Sequence, residues 1–561
     1  MVQTKSWQYA LLLILICGVI ACLPLFHSGF YMGGDGPFEL TRAADYANTL
    51  KESGFPVRWS PNLEAGYGSP IYLFFPPLSL TLFSIPMIFG CPLVTSMKIV
   101  LFLLAVAGGI GMYLFSRHHF GPAGGLLSAC LYVLAPYHFV DLFERNALAE
   151  FTALSVAPFL FYAVAGMVNK GRSAPRIKLL LIGSAVFFAL SHVLSVLMYV
   201  PLVLLYVIVN LPPQRRSRFF AEVSAPLVII VCLTSFFILP MLWEVKYVQT
   251  WQLTVGKFDV LKNFIPLKSI LDKDSWFSVM RFPAILLILV TASTLTRWKR
   301  ITRQQRANIF LFAAYLAFCV FMITGKSAFI WEHSSMLRLF QFPWRLLSPA
   351  TFALCFLCGS LLVLAGEHGA TRTVLAAAVI AAALVSLVTQ LPPGEGYYVH
   401  LSGISPAIIR SRGLKATVLD EYRPEWGREK PDPALAGELV SSVRRAVIEK
   451  GPVRPGLLSF HVLLPERSTL TAHIYYFPGW KIYVNSKEIP FDVDPYGLPR
   501  FSLPPGEYSV DVRYGNTWDR VAGNALSLLG LAALTFFVLK WYSFDNTGDP
   551  HIHNIGKGHP V

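Results

Sequence analysis

Apolar runs of about 20 residues recur along almost the whole of this sequence, and a helical run of that length matches the hydrocarbon thickness of a bilayer. Hydrophobic residues make up 54% of the chain and charged residues 14%, a more apolar balance than soluble proteins have. The sequence therefore predicts an α-helical polytopic membrane protein.

The formal net charge of +15 has two readings, a polyanionic partner or membrane topology. The basic residues cluster in short segments between apolar runs, at 170–178, 215–218 and 297–306, as the positive-inside rule predicts for cytoplasmic loops. We therefore expect no nucleic-acid partner. The sequence has no Walker loop, no Rossmann glycine pattern after a strand and no cytoplasmic D-x-D, which disfavours an ATP-driven pump or a nucleotide-sugar enzyme.

Placing these loops inside predicts about 12 crossings with both termini cytoplasmic. The run 179–210 is too long for one helix, so it is predicted to form a hairpin that turns at Ser191-His192 on the outer side. The run 71–89 has outer segments on both flanks and contains three prolines, so we expect a re-entrant or interfacial segment. The run ending at Phe26 lacks a signal-peptide cleavage pattern and is interpreted as a retained first span.

A change of composition marks an outer domain before the last span. Residues 391–520 carry charges of both signs, many Pro and Gly, and β-rich segments separated by turns, which predicts a small antiparallel β-sandwich without catalytic residues. The predicted organisation is a membrane module at 1–390 with a first outer loop at 27–70, the outer domain at 391–520, a last helix at 521–541 and a cytoplasmic tail at 542–561.

The first outer loop places an acid near the membrane surface. Asp35 is the first carboxylate of the chain and follows two glycines. After it, apolar residues recur at helical spacing as far as Leu50, which predicts an amphipathic helix at the membrane interface that Gly54 and Pro56 end. Two interpretations of Asp35 stay open on residue types alone: it caps this helix, or it is a functional acid.

Other polar groups fall at the predicted outer ends of spans, where a charge costs free energy unless it is paired or used. Arg145 and Glu150 flank a span start and could form an ion pair there. His192 occupies the hairpin turn, where a lone His is often structural. Arg345 ends the aromatic stretch F-P-W-R, which suits a phosphate contact at the interface.

Several stretches together resemble a known family. After Asp35 and its helix, the chain reads G-F-P-V-R-W-S-P, G-Y-G-S-P and F-F-P-P-L, and later R-N-A-L-A-E, F-P-W-R and Y-Y-F-P-G-W-K-I-Y-V-N. This pattern resembles bacterial GT-C glycosyltransferase-like membrane proteins, and more narrowly the group labelled membrane protein, 6-pyruvoyl-tetrahydropterin synthase-related. The resemblance covers most of the chain and implies a GT-C-like membrane fold.

The resemblance also implies a function. A sugar would pass from a polyprenyl-phosphate-linked donor to an envelope glycan or lipid acceptor, on the outer face of the bacterial cytoplasmic (inner) membrane and among its lipids. Asp35 is then the catalytic base and Glu39 a second catalytic acid. The implied substrate contacts are Arg58, Arg145, Glu150, His192 and Arg345.

A divalent cation is the second role open to Asp35. In some GT-C enzymes an acid at this position binds such an ion, here Mg²⁺ or Mn²⁺. Relatives often carry His four residues after the Asp, whereas this chain has Glu39, which could complete an acidic metal-binding pair or mark altered chemistry.

Two other functions remain open. A transporter or flippase of lipid-linked saccharide would place charged residues in the middle of spans, whereas this sequence places most of them at span ends. A non-catalytic envelope assembly protein would use the outer β domain to bind a glycan or a partner, and it would tolerate replacement of Asp35.

Overall fold

The computed structural model describes residues 2–169, 174–270, 281–297, 299, 301–365, 369–388, 398–399 and 403–546. Part of the first basic loop (170–173), most of the predicted start of the outer domain (391–397 and 400–402) and most of the predicted tail (547–561) lie outside the described residues.

The described helices are α1 (Val2–Ala21), α2 (Gly36–Ser53), α3 (Pro77–Ile88), α4 (Leu93–Val133), α5 (Pro136–Phe139), α6 (Leu148–Asn169), α7 (Pro175–Ser191), α8 (Val193–Asn210), α9 (Arg216–Glu244), α10 (Arg281–Thr296), α11 (Arg303–Met322), α12 (Ala328–Glu332), α13 (Ser335–Arg338), α14 (Leu347–Leu364), α15 (Gly369–Val388), α16 (Pro406–Ser411) and α17 (Trp518–Asn546). Within the described ranges, eight helical segments are long and apolar enough to cross a membrane. A mostly helical membrane protein is confirmed, whereas the total of about 12 crossings stays a prediction.

The longest helix, α4, contains a sharp reversal. Gly121 has a φ of 74° and precedes Pro122, which interrupts the helical backbone. A Cβ on Gly125 would lie 2.8 Å from the Cα of Arg117, and one on Gly109 would lie 2.5 Å from a methyl group of Val133. Both pairs are centred on residue 121, so the two halves of α4 pack antiparallel. Two predicted spans therefore meet at this glycine.

The predicted hairpin within 179–210 is confirmed. α7 ends at Ser191, α8 begins at Val193, and the extended backbone of His192 separates them. The predicted re-entrant or interfacial run contains a short 3-10 helix (Ile71–Leu73) and the α-helix α3, whose 12 residues extend about 18 Å. That is less than the roughly 30 Å of a hydrocarbon core, as the prediction requires.

The outer domain is built from strands. They are β3 (Leu439–Ser441), β4 (Val447–Arg454), β5 (Leu457–Leu464), β6 (Ser468–Ala472), β7 (Trp480–Val484), β8 (Lys487–Ile489), β9 (Asp492–Val493), β10 (Pro499–Leu503) and β11 (Gly506–Tyr514), after the short pair β1 (Phe30–Tyr31) and β2 (Tyr398–Val399). Among the described strands, one antiparallel sheet has the order β3-β6-β10-β9 and another the order β4-β5-β11-β7-β8. Leu470 and Phe501 of the first sheet share a core with Val462 and Val510 of the second, as a sandwich requires.

The core of the outer domain continues into the first outer loop. Trp59 packs edge-on against Trp480, with ring centroids 5.3 Å apart. The Tyr475 amide donates to the Tyr67 carbonyl oxygen at 2.9 Å. β1 pairs with β2, so the loop also pairs with the segment that precedes the sandwich. The first outer loop therefore lies between the membrane helices and the sandwich.

A buried ion pair joins the end of the sandwich to the membrane helices. Arg520, at the start of α17, is 0% exposed and contacts the Glu244 carboxylate of α9 at 2.9 Å. Its guanidinium also donates to the carbonyl oxygens of Pro478 and Gly515 at 2.8 and 2.9 Å. The Thr517 hydroxyl donates to the other Glu244 oxygen at 2.9 Å. This network determines how the sandwich sits on α9 and α17.

Candidate functional site

Backbone hydrogen bonds hold Asp35 against the loop that follows α5. The amides of Gly34 and Asp35 donate to the carbonyl oxygens of Glu144 and Arg145, at 2.8 and 2.7 Å. Asp35 occupies the N-cap position of α2, but its side chain accepts no capping hydrogen bond. Among the described contacts its half-buried carboxylate has no hydrogen bond or ion pair. The side-chain hydrogen bond of a helix cap is therefore missing from the described contacts, and the functional role of the acid stays a prediction.

Gly33 makes this close approach possible. A Cβ at this position would lie 2.0 Å from the Phe143 carbonyl oxygen and 2.7 Å from that of Glu144. The Gly33 amide donates to the Asn146 side-chain oxygen at 2.5 Å, and Asn146 itself is buried. A side chain at position 33 would thus displace the loop that carries Asp35.

Arg345 has hydrogen-bonding capacity left for a ligand. It lies just before α14, and its Nη1 donates to the Phe340 carbonyl oxygen at 3.1 Å. Its Nε is buried without a hydrogen-bond partner. Asp35, Glu150 and Arg145 all interact electrostatically with this guanidinium. The acid and the arginine therefore belong to one cluster.

Arg145 is already engaged by protein groups. Its Nη1 lies 3.0 Å from a Glu150 oxygen and also contacts Asp141, and its guanidinium lies 4.5 Å from the ring centre of Trp344. Burial favours loss of its proton, but the Glu150 and Asp141 carboxylates outweigh this and raise the pKa of Arg145. The predicted Arg145–Glu150 ion pair is confirmed. The Tyr137 hydroxyl donates to the other Glu150 oxygen at 2.8 Å.

His192 joins the same cluster from the α7–α8 hairpin. Its Nδ1 lies 2.8 Å from the Ser195 hydroxyl, and its ring interacts electrostatically with Glu150, Arg345 and Arg145. The structure therefore brings together four of the predicted substrate-binding residues with Asp35. Their catalytic and binding roles remain predictions.

Glu39 faces Arg42 within its own helix. The two side chains form a buried ion pair of 2.8 Å, and Arg42 also donates to the Ala416 carbonyl oxygen and lies 4.3 Å from the Phe75 ring centre. One Glu39 oxygen is thus paired with an arginine, whereas the other is buried without a hydrogen-bond partner among the described residues. Among the described residues no group of three His, Cys, Asp or Glu side chains is arranged to hold a metal ion. The binding of a divalent cation by Asp35 stays a prediction.

Arg58 lies in a different environment from the cluster. Its guanidinium donates to the side-chain oxygens of Asn516 and Asn524 at 3.0 and 2.7 Å, and to the Phe236 carbonyl oxygen at 3.3 Å. Burial, and secondarily the nearby Arg520, lowers the pKa of Arg58 to about 10. Its contacts join the first outer loop to α9 and α17, so its placement is that of a structural residue.

The segment between α15 and the sandwich contributes residues that sequence reasoning missed. Ala416 accepts from Arg42, and Tyr422 interacts electrostatically with both Arg42 and Arg345. Tyr422 also stacks on Phe74, just after the first outer loop, with centroids 5.7 Å apart. The only signal in the sequence is the dense group of charged and aromatic residues D-E-Y-R at 420–423.

Glu421 in this segment predicts a pH-dependent stability. Burial raises the pKa of Glu421 from 4.5 to about 7, so the folded state keeps a proton that the unfolded state releases. Between these two values the folded state binds more protons, and stability falls as pH rises, by about 3 kcal/mol in total. We expect Glu421→Gln to remove this loss between pH 5 and 8, as thermal melting would show. Glu425→Gln, at an exposed neighbour, should leave the pH profile unchanged.

Comparison with known proteins gives the family. The family model described as 6-pyruvoyl-tetrahydropterin synthase related domain, membrane protein, matches residues 72–392, more than half of the chain. An uncharacterized protein of Lactococcus lactis subsp. cremoris (strain MG1363) is 23% identical over 300 residues. That alignment covers 50% of this chain and 47% of the relative, so the chain spans about half the length of the curated relative it matches.

Three solved structures are also similar. Arabinofuranosyltransferase AftD from Mycobacteria is 16% identical with a TM-score of 0.46, over 69% of this chain and 27% of that one. ArnT from Cupriavidus metallidurans, bound to undecaprenyl phosphate, is 12% identical with a TM-score of 0.40, over 63% of this chain and 60% of that one. The Archaeoglobus fulgidus oligosaccharyltransferase is 15% identical with a TM-score of 0.37, over 68% of this chain and 52% of that one. The family match confirms the narrower resemblance seen in the sequence, and the chain belongs to the membrane proteins described as 6-pyruvoyl-tetrahydropterin synthase related.

Proposed function

We propose that this protein is a membrane glycosyltransferase that uses a polyprenyl-phosphate-linked sugar as its donor. The observation that carries the proposal is the pairing of two unsatisfied groups in one cluster. Asp35 has a carboxylate without a described partner, and Arg345 has a buried Nε without one. An acid and a cation held this way suit a reaction in which a proton is removed and a phosphate leaves.

The proposed step uses these groups as follows. Arg345 binds the phosphate of the lipid-linked sugar, and Arg145, held by Asp141 and Glu150, adds positive charge beside it. Asp35 accepts the proton of the acceptor hydroxyl, and the acceptor oxygen forms a bond to the anomeric carbon. The bond between that carbon and the phosphate oxygen breaks, and its electron pair leaves with the lipid phosphate. The products are the glycosylated acceptor and the free lipid phosphate.

Glu39 has a supporting role in this proposal. Its ion pair with Arg42 places the Arg42 guanidinium where it reaches the Ala416 carbonyl oxygen, so Glu39 connects α2 to the segment before the sandwich. Asp35 is then the base, one turn away on the same helix. No step of the mechanism passes through a metal ion. Loss of activity on removal of Mg²⁺ and Mn²⁺ by EDTA would instead assign Asp35 to cation binding.

The setting of the reaction is part of the proposal. Both termini are placed in the cytoplasm, and the site faces the outer side of the bacterial inner membrane. The acceptor is an envelope glycan or lipid. This orientation is supported by the basic segments at 215–218 and 297–306, which lie at the opposite ends of helices from the cluster.

Mass spectrometry of envelope glycans and polyprenyl-linked sugars tests the proposal. Cells lacking the protein would be complemented with wild type, Asp35→Asn or Glu52→Gln. Glu52 is exposed at the other end of α2, so its variant removes one carboxylate from the same helix away from the cluster. We expect Asp35→Asn, present in the membrane at the wild-type level, to leave a sugar missing, and Glu52→Gln to restore it.

The same experiment separates the alternatives. Full restoration of the glycan by Asp35→Asn would contradict the enzyme and favour a non-catalytic assembly protein. Accumulation of an intact lipid-linked saccharide with no change in its sugar composition would favour a transporter or flippase.

A further inference from the structure

A cavity of about 140 Å³ lies next to the Asp35 cluster, and we call it the loop pocket. Its walls come from residues 63–71, at the end of the first outer loop, from the segment 413–433 and from Tyr475 of the sandwich. One wall is shared with the cluster: Ala416 lines the pocket and accepts a hydrogen bond from Arg42. Tyr422 also lines it and interacts electrostatically with Arg345. The pocket and the group proposed to hold the donor phosphate are therefore linked through Tyr422.

The loop pocket carries an excess of positive charge. Three basic residues line it, Lys415, Arg423 and Lys430, against two acidic ones, Glu64 and Asp420. Arg423 contacts Asp420 at 2.7 Å and Glu64 at 3.0 Å, and both lysines also approach Asp420, at 3.6–3.7 Å. The two carboxylates are thus shared among three cations. One positive charge remains without a matching carboxylate on the pocket wall.

Arg423, which lines the pocket, also has a buried donor without a partner. The Arg423 side chain is 7% exposed, and its Nε is buried without a hydrogen bond. A buried donor left unsatisfied costs free energy, and an acceptor atom that reached it would offset that cost. The excess charge and the unpaired N–H point to the same kind of ligand, an oxyanion.

Aromatic side chains give the rest of the pocket its shape. Tyr67 and Tyr475 line it with centroids 5.4 Å apart, and Tyr422 adds a third ring. Aromatic faces beside hydrogen-bonding groups suit a ring that is polar at its edge and less polar on its face, as a sugar is. The volume is below the roughly 300–1,000 Å³ of pockets for drug-sized ligands, so one ring fits and a chain does not.

We propose that the loop pocket binds one acidic sugar ring, a sugar that carries a carboxylate or phosphate, and that this ring belongs to the acceptor. Arg423, Lys415 and Lys430 hold the anionic group, and the tyrosines contact the ring. The role as acceptor site rests on the proposed function, because it depends on Arg345 holding the donor next to the shared wall. The binding itself does not depend on it.

Ligand-observed NMR tests the binding. Saturation-transfer difference spectra would be recorded with the full-length protein in phosphatidylcholine nanodiscs, because maltoside detergents carry a competing sugar. The probes are D-glucuronate and D-glucose, with inorganic phosphate as a competitor. We expect signal from the ring protons of glucuronate, at least tenfold weaker signal from glucose, and retention of most glucuronate signal at an equal phosphate concentration.

A matched pair of double variants locates the site. Lys415→Ala/Lys430→Ala removes two exposed cations from the pocket, and Arg444→Ala/Arg445→Ala removes two exposed cations elsewhere on the outer domain. We expect the glucuronate signal to fall at least tenfold in the first and to stay in the second. Both pairs lie on the surface, so thermal melting should show both variants folded.

Three outcomes would overturn the proposal. They are an absence of glucuronate signal from wild type, equal signals from glucose and glucuronate, and a signal that survives in the pocket variant. Loss of the signal on adding phosphate would identify a simple anion site and would equally reject a sugar pocket. Asp35→Asn should leave glucuronate binding intact, so failure of the pocket and failure of the proposed enzyme activity give different results.

Discussion

Arg520→Met is expected to lower the free energy of unfolding by about 3–5 kcal/mol, because it leaves the buried Glu244 carboxylate without its cation. Arg520 is completely buried and its nitrogens contact Glu244 and two backbone carbonyl oxygens. All three acceptors would lose their donor in a place that water does not reach. Trp59 and Trp480 pack against each other near this junction, so tryptophan fluorescence during denaturation would report the loss.

The matched control is Arg513→Met in the same domain. Arg513 pairs with Asp511 at 2.5 Å, but its side chain is 51% exposed, and exposed pairs contribute about 0–1 kcal/mol. The double variant Arg520→Met/Glu244→Leu removes both buried charges, and we expect it to recover most of the lost stability. A single Arg520→Met variant as stable as the Arg513 control would show that this junction does not hold the sandwich on the membrane helices.

Gly33→Ala is expected to abolish the proposed transferase activity by at least a hundredfold, with a loss of about 1–3 kcal/mol in stability. The new methyl group would start 2.0 Å from the Phe143 carbonyl oxygen, which is backbone and cannot rotate away. The loop would have to move outward and would carry Asp35 with it. A displacement of the base by about 1 Å is enough for a loss of this size.

Gly34→Ala is the control for this substitution. Its Cβ would meet only the Glu144 and Arg145 carbonyl oxygens, at 3.7 and 3.8 Å, which is ordinary van der Waals contact. We expect near-normal activity and glycan composition from this neighbour. Equal losses from both alanine variants would show that the loop responds to any added carbon. Full activity in Gly33→Ala would show that the position of Asp35 does not matter for function.

The features that the sequence predicted well depend on local patterns. The α7–α8 hairpin follows from a run too long for one span, and the short helix α3 follows from its prolines. The alternating strands predicted for the outer domain form two sheets around one core. The number of crossings was harder to predict from the sequence, because the reversal of α4 depends on how Gly109 and Gly125 pack against the opposite half of that helix.

In the candidate site, too, features with a local sequence pattern were predictable and features set by tertiary packing were not. Asp35, Arg145 and Arg345 were recognisable because charges at span ends are costly, and the structure collects them. The Glu39–Arg42 pair has helical i, i+3 spacing and could have been predicted from the sequence. Two other sets of contacts could not have been predicted from the sequence. They are the contacts of Arg58 with α9 and α17, and the contacts of Ala416 and Tyr422 with Arg42. They are set by tertiary packing of segments that lack any periodic pattern.

The contact between Arg42 and Ala416 joins positions 374 residues apart. At typical synthesis rates of about 5–20 residues per second, the ribosome needs roughly 20–75 s to cover that distance. Throughout that time the first outer loop has its acid and its arginine but not the wall that later covers them. A nascent chain that stops before Ala416 therefore lacks this wall, and we expect the proposed activity to require synthesis at least as far as that residue.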